Sequence, residues 1–151
     1  MSVVEAYGVA VATPPGWDVR IRRHPVAAPE TAHAVLHAAT FRLPAARGDY
    51  GDGAVQAMRP HDVFIALVEF APSAIGTPLF ATVGWPSPLS GADFSRTSLQ
   101  HPVAGHAGVQ RWFAAAGRPW CLYVVIGRWD DRSALASKAN ELVAGLSVGG
   151  A

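Results

Sequence analysis

The sequence is poor in cysteine, in lysine and in charged residues of either sign. A single cysteine, Cys121, excludes an intrachain disulfide, so packing must hold the fold together. Only 15% of the 151 residues are charged, and the formal net charge is +1. This balance excludes a charge-solvated disordered chain. It is also far from that of a strongly basic nucleic-acid-binding protein, so we expect no nucleic acid among the partners.

Long hydrophobic runs are absent as well. No apolar segment approaches the roughly 18 residues that a membrane-spanning helix needs. Residues 1–11 lack the basic start and the continuous apolar stretch of a signal peptide. We therefore expect a soluble, cytoplasmic protein with no membrane span.

The motifs of common catalytic and metal sites are missing too. No serine is framed by glycines as in a nucleophile elbow, and no glycine-rich loop leads into Lys-Ser or Lys-Thr. His33 and His37 would sit about 13 Å apart in a strand, too far for one ion. Cys121 lies in an apolar strand pattern, where a small buried thiol is the usual occupant. We expect no metal and no cofactor, and a role other than catalysis is favoured.

Alternating apolar and polar residues predict several strands in the first half of the chain. Residues 7–11 and 17–23 read as two antiparallel strands joined by the Pro-Gly turn at 13–16. Residues 33–41 are a third candidate strand, dominated by alanine. Residues 62–70 are apolar at both parities, which predicts a central strand covered on both faces.

A long hairpin is predicted near the end of the chain. Residues 109–115 and 120–126 form its strands. A four-residue loop at 116–119 joins them, because the residue that closes a two-residue turn must donate an N–H group, which Pro119 lacks. In this register Phe113 faces Leu122. Trp112, Cys121 and Tyr123 share the other face of the hairpin.

A helix and a long connection complete the predicted fold. Residues 133–146 carry an apolar stripe at helical spacing. Residues 71–108 are rich in proline and glycine and read as a long loop with a short edge strand at 79–83. We predict one α+β domain over residues 1–151, with an antiparallel sheet of about five to six strands, helical cover and a C-terminal amphipathic helix.

The order of these elements resembles the PsbP-like α/β/α sandwich superfamily. An opening apolar strand is followed by Pro15, Gly16 and Trp17, and a late hairpin and a closing amphipathic helix end the chain. The superfamily includes an extrinsic photosystem II subunit, a Ran-binding nuclear import factor and uncharacterised bacterial, including actinobacterial, proteins. The resemblance implies the sandwich fold and carries no functional residue onto this chain.

Aromatic residues of the late hairpin suggest a contact surface. Trp112 and Tyr123 share one face, and we expect Trp85 of the long loop to join them, with Arg111 and Arg118 as cationic flanks. Tryptophan, tyrosine and arginine dominate binding hot spots. The alternative is that segment 71–108 covers this face and makes Trp112 part of the core.

A second candidate is the densest charge cluster, formed by Arg20, Arg22 and Arg23. Two of the three share a strand face and would hold an anion or an acidic partner; the alternative is a solvated face without a ligand. We predict a non-catalytic protein-binding or assembly module whose partner is another protein or a second copy. The alternative is a small-molecule-binding protein or small enzyme with a pocket between the sheet and segment 71–108. A third hypothesis is a metal protein that uses His101 and His106.

Overall fold

The structure is a computed structural model, and it describes residues 2–24 and 33–149. In the described residues the elements follow the order β1 (Ser2–Ala6), β2 (Val9–Thr13), β3 (Asp18–His24), β4 (His33–Ala39), β5 (Val63–Glu69), β6 (Ala107–Ala115), β7 (Arg118–Ile126), α1 (Arg132–Val143) and β8 (Leu146–Val148).

The strands form two antiparallel sheets. One has the order β3-β4-β5-β7-β6, and the other has the order β1-β2-β8. The predicted α+β class, antiparallel pairing and C-terminal helix are confirmed. The prediction of one sheet with five to six strands is wrong, because the described strands divide between a five-stranded and a three-stranded sheet.

The first hairpin explains this difference. Tyr7 and Gly8 have φ values of 54° and 76°, the left-handed pair that a two-residue hairpin turn requires. The chain therefore reverses at this point, and Ala6 pairs with Val9. The predicted pairing of residues 7–11 with 17–23 is wrong, since β2 pairs with β1 and β8, and β3 pairs with β4.

Strand β5 lies at the centre of the larger sheet, as the pattern of residues 62–70 predicted. All seven of its residues are buried. Its neighbours are β4 and β7, which pair with it along nearly its whole length. Both faces of the sheet are covered at this strand, which explains why its residues are apolar at odd and even positions alike.

The late hairpin is present, but its turn is shorter than predicted. Ala116 and Gly117 form a two-residue turn with φ values of 54° and 72°. Phe113 consequently faces Trp120 and not Leu122. The register differs by two residues, so every side chain keeps the face that was predicted for it.

Pro119 does not prevent this short turn. It pairs with Ala114 rather than closing the hairpin. The N–H of Ala114 points away from β7 and donates to the carbonyl of Thr82 at 2.8 Å. At such a non-hydrogen-bonded pair of an antiparallel ladder, a proline removes no bond between the two strands.

The C-terminal helix is shorter than the predicted span 133–146. It ends at Val143, and Leu146 begins β8, which pairs with β2. Gly145 allows the chain to pass close to β2, because a Cβ atom there would lie 2.8 Å from the carbonyl oxygen of Ala12. The predicted edge strand at 79–83 is also wrong in extent: Pro78–Phe80 is a short 3-10 helix, and Val83 makes a single bridge to β6.

The five-stranded sheet is covered on both faces. On the first face, Ile65 and Leu122 pack with α1 and with the three-stranded sheet. On the second face, Phe64 and Tyr123 pack with apolar side chains from segment 41–58. Within the described ranges, none of the helices is both long and apolar enough to cross a membrane.

Candidate functional site

Trp112 lies on β6, an edge strand of the five-stranded sheet. It pairs with Cys121, so its side chain projects from the second face, as predicted. Trp112 is half-buried and belongs to neither core cluster. The second face is covered mainly by segment 41–58, and segment 71–108 contributes Leu99. Trp112 is therefore left at the border of the covered area.

One strongly exposed apolar side chain lies beside Trp112. Val83 bridges Ala114, the residue two positions beyond Trp112, so the three side chains share the second face. Val83 is 82% exposed, and Leu79 and Ile75 in the same segment are 54% and 39% exposed. We call Trp112, Ala114 and Val83, together with the uncharged segment that exposes Leu79 and Ile75, the neutral surface.

The neutral surface is free of charge because of an unusual stretch of sequence. The twenty-three residues between Glu69 and Asp93 include no Asp, Glu, Lys, Arg or His. This segment borders the edge strand, since Ala114 exchanges backbone hydrogen bonds with Thr82 and Gly84 at 2.8 and 2.9 Å. Ile75, Leu79 and Val83 were not among the residues predicted for the contact surface. The absence of charge over this stretch was the signal that could have identified them.

Trp85 and Arg111 do not join Trp112. Trp85 is half-buried against the first-face core, and its ring centroid lies 5.0 Å from that of Phe113. Arg111 also has first-face parity and forms an ion pair with Asp93 at 3.2 Å. The expected surface containing both tryptophans is therefore corrected: the two rings lie on opposite faces of the sheet.

Tyr123 shares the second face with Trp112, as predicted, but it is fully buried. Its hydroxyl oxygen accepts a hydrogen bond from the backbone N–H of Gln100 at 2.8 Å, and its ring meets the edge of Tyr50. Burial raises the pKa of Tyr123. Burial also raises the pKa of the neighbouring Cys121 thiol to about 12, so this thiol is held in its unreactive form.

Arg118 is buried and does not flank a contact surface. Its guanidinium forms a two-bond ion pair with the Glu69 carboxylate, at 2.7 and 2.9 Å. It also donates to the backbone carbonyls of Tyr7, Gly8 and Gly149, at 3.0, 3.4 and 2.9 Å. These contacts join the five-stranded sheet to the turn and the end of the three-stranded sheet. Arg118 therefore has a structural role, which its position in the sequence alone did not indicate.

The three arginines of the predicted anion-binding face are divided between the two faces of the sheet. Arg20 and Arg22 lie on the second face, opposite His37 and Val35. Arg20 forms an ion pair with Asp18 at 3.0 Å, and Arg22 forms one with an aspartate of segment 41–58 at 2.8 Å. Arg23 lies on the first face and stacks on the ring of Tyr7 at 5.6 Å. Two of the three arginines therefore share a face, as the strand alternation predicted.

His37 lies in a buried polar network beside these arginines. Its Nε2 donates to the backbone carbonyl of Asp49 at 2.8 Å, and its Nδ1 accepts from Nε of Arg47 at 2.9 Å. Burial lowers the pKa of His37 to about 4, and the charges of Arg47 and Arg22 contribute in the same direction. The imidazole is therefore neutral at pH 7.

Because of His37, the protein should lose stability as the pH falls from about 6.5 to 4. The folded-state pKa of about 4 lies below the usual 6.5, so the folded protein binds fewer protons than the unfolded chain over this range. The stabilisation is complete above pH 6.5, and up to about 3 kcal/mol is lost by pH 4. Urea unfolding at several pH values measures this slope. The slope should flatten in His37→Gln, and an equal slope in both proteins would contradict this assignment.

Neither grouped metal ligands among the described residues nor known relatives point to a function. Among residues 2–24 and 33–149, no three or more His, Cys, Asp or Glu side chains are grouped so as to hold a metal ion. Comparison with protein-family models, with curated proteins and with solved structures finds no match. Membership of the PsbP-like superfamily stays a prediction.

Proposed function

We propose that this protein is a non-catalytic assembly module that self-associates through the neutral surface. The observation that carries the proposal is the exposed Val83, which is bridged to Ala114 beside the half-buried Trp112 at a sheet edge. It belongs to an uncharged segment that also exposes Leu79 and Ile75. Of the five large hydrophobic residues that are exposed in the described chain, three belong to the uncharged segment between Glu69 and Asp93. Contiguous exposed apolar patches mark interaction sites on soluble domains.

The absence of charge favours a second copy of the same chain as the occupant. A two-fold contact brings the same patch of both protomers together, so a residue at its centre lies against its own counterpart. A charged patch would then repel itself, whereas an apolar and neutral patch is complementary to itself. A partner selected by charge would find no ionisable side chain between Glu69 and Asp93.

Burial of the reactive groups supports a non-catalytic role. Cys121, Tyr123 and His37 have exposed fractions of 0, 0 and 1%. Each of them is hydrogen-bonded within the protein or held in its uncharged form by burial. These groups would have to leave the core to meet a substrate.

The test is sedimentation velocity of the wild type and of Val83→Lys over a range of concentrations. The wild type should form dimers, and Val83→Lys should be monomeric, because two lysines would then face each other across an apolar contact. Circular dichroism and the thermal midpoint should remain close to those of the wild type, since Val83 is 82% exposed.

The matched control is Val3→Lys, which places the same charge on a valine that is 67% exposed in the three-stranded sheet. This variant should dimerise like the wild type. Two outcomes would overturn the proposal: a wild type that stays monomeric up to the highest concentrations reached, or equal loss of dimer in both variants.

A further inference from the structure

An open cleft of about 410 Å³ lies where β3 begins and β4 ends. The aromatic residues Trp17 and Phe41 and the arginines Arg20 and Arg42 contribute to its wall, and Asp18 lies between them in the lining. The cleft is remote from the neutral surface, because β3 and β6 are the opposite edges of the five-stranded sheet. Its chemistry is independent of self-association.

Positive charge predominates around this cleft. Arg20 and Arg42 line it, and the single carboxylate in its wall, Asp18, is already paired with Arg20 at 3.0 Å. Asp18 also accepts the backbone N–H of Leu43 at 2.8 Å. Arg47 lies close behind, and its pKa is lowered by burial and by the neighbouring charges of Arg22 and Arg20. A bound anion would offset the electrostatic repulsion between these guanidinium groups.

Two polar groups of the cleft wall lack a partner. Trp17 is only 8% exposed, and its indole N–H is buried without a hydrogen bond among the described residues. Arg42 is exposed and has no hydrogen bond or ion pair with any residue that the structure describes. The indole nitrogen is itself inaccessible, so the unpaired guanidinium of Arg42 is the donor of this wall that is open to a ligand.

We propose that the cleft binds a small aromatic molecule that carries a phosphate or carboxylate group. The guanidiniums of Arg42 and Arg20 supply the charged donors that suit either oxyanion. The ring of Phe41 supplies an aromatic surface for the body of the ligand. The Trp17 side chain contributes to the same wall. Phosphate and carboxylate share this chemistry, and the experiment distinguishes them.

The experiment is a nitrogen-15 NMR titration of the whole protein at constant ionic strength with phenyl phosphate, benzoate and inorganic phosphate as separate probes. The five tryptophans give separate indole N–H signals, and Trp17→Phe identifies that of Trp17. We expect phenyl phosphate or benzoate, or both, to shift the Trp17 signal saturably. The probe that binds more tightly identifies the oxyanion, and inorganic phosphate should bind at least tenfold more weakly.

Arg42→Ala should weaken binding of the preferred probe by roughly tenfold or more, the loss expected for a charge-assisted hydrogen bond. Arg42→Lys should retain part of the affinity, because it keeps the charge without the planar guanidinium. The matched control is Arg96→Ala, which removes an exposed arginine that stacks on Trp129. Its affinity should equal that of the wild type. The proposal is overturned if no probe shifts the Trp17 signal saturably, if inorganic phosphate binds as tightly as the aromatic probes, or if Arg42→Ala binds like Arg96→Ala.

Discussion

Arg118→Met should lower the free energy of unfolding by about 3–5 kcal/mol, the usual loss when one member of a buried ion pair is removed. The Glu69 carboxylate is 11% exposed, and both bonds from Arg118 would be lost. The carbonyls of Tyr7 and Gly149 would lose their donor at the same time. Urea unfolding followed by tryptophan fluorescence measures the loss.

Two further variants separate the ion pair from the general effect of removing an arginine. Arg128→Met removes a side chain that is 56% exposed and should cost less than about 0.5 kcal/mol. The double variant Arg118→Met with Glu69→Leu should be more stable than Arg118→Met alone, because no unpaired carboxylate remains. A loss below about 1 kcal/mol for Arg118→Met would show that the contact between the two sheets lies elsewhere.

Phe64→Ala should also cost about 3–5 kcal/mol, the range for emptying a buried aromatic site. Phe64 is fully buried on β5, and its ring lies 5.3 Å from that of His37. The backbone of Gly51 closes over this ring so tightly that an added Cβ atom would lie 2.5 Å from it. The cavity left by the ring can close only if segment 41–58 moves toward the sheet.

Chemical denaturation measures this cost against Val3→Ala, which shortens a side chain that is 67% exposed. The control should stay within about 0.5 kcal/mol of the wild type. A loss below about 1 kcal/mol for Phe64→Ala would place β5 at the surface and contradict the two-sided core.

The larger sheet could be predicted from local patterns because its strands carry strong periodicity. The apolar parities of β5 and the alternation in β6 and β7 determined which side chains share a face, and these assignments are confirmed. The exact hairpin register could not be predicted in the same way. It depends on Ala116 adopting a positive φ, which is uncommon for a residue other than glycine.

The smaller sheet could not be predicted from local patterns, because β2 pairs with β8 across almost the whole length of the chain. Nothing in three residues, Leu146–Val148, distinguishes a strand from the end of an amphipathic helix. The first turn was not predicted either, because Tyr7 adopts a positive φ although residues 7–11 have the sequence pattern of a strand.

The candidate surface was predicted in part. Trp112 could be assigned to the correct face by parity alone. Arg118 and Tyr123 have the residue types of a hot spot, but their burial depends on the three-stranded sheet and on Gln100, which are distant in sequence. Val83 is exposed because its segment is anchored to the outer edge of β6, a long-range contact with no periodic signal.

The most direct measurement of self-association is the distance between spin labels on the two copies of Val83→Cys. The introduced thiol can be labelled selectively because Cys121 is fully buried and its pKa is raised to about 12. Pulsed dipolar spectroscopy of the dimer should give a distance shorter than about 30 Å, twice the radius of gyration expected for a domain of this length. Labels on Val3→Cys, in the other sheet, should lie farther apart. A shorter distance between the Val3 labels than between the Val83 labels, or no dipolar signal from Val83, would contradict the account.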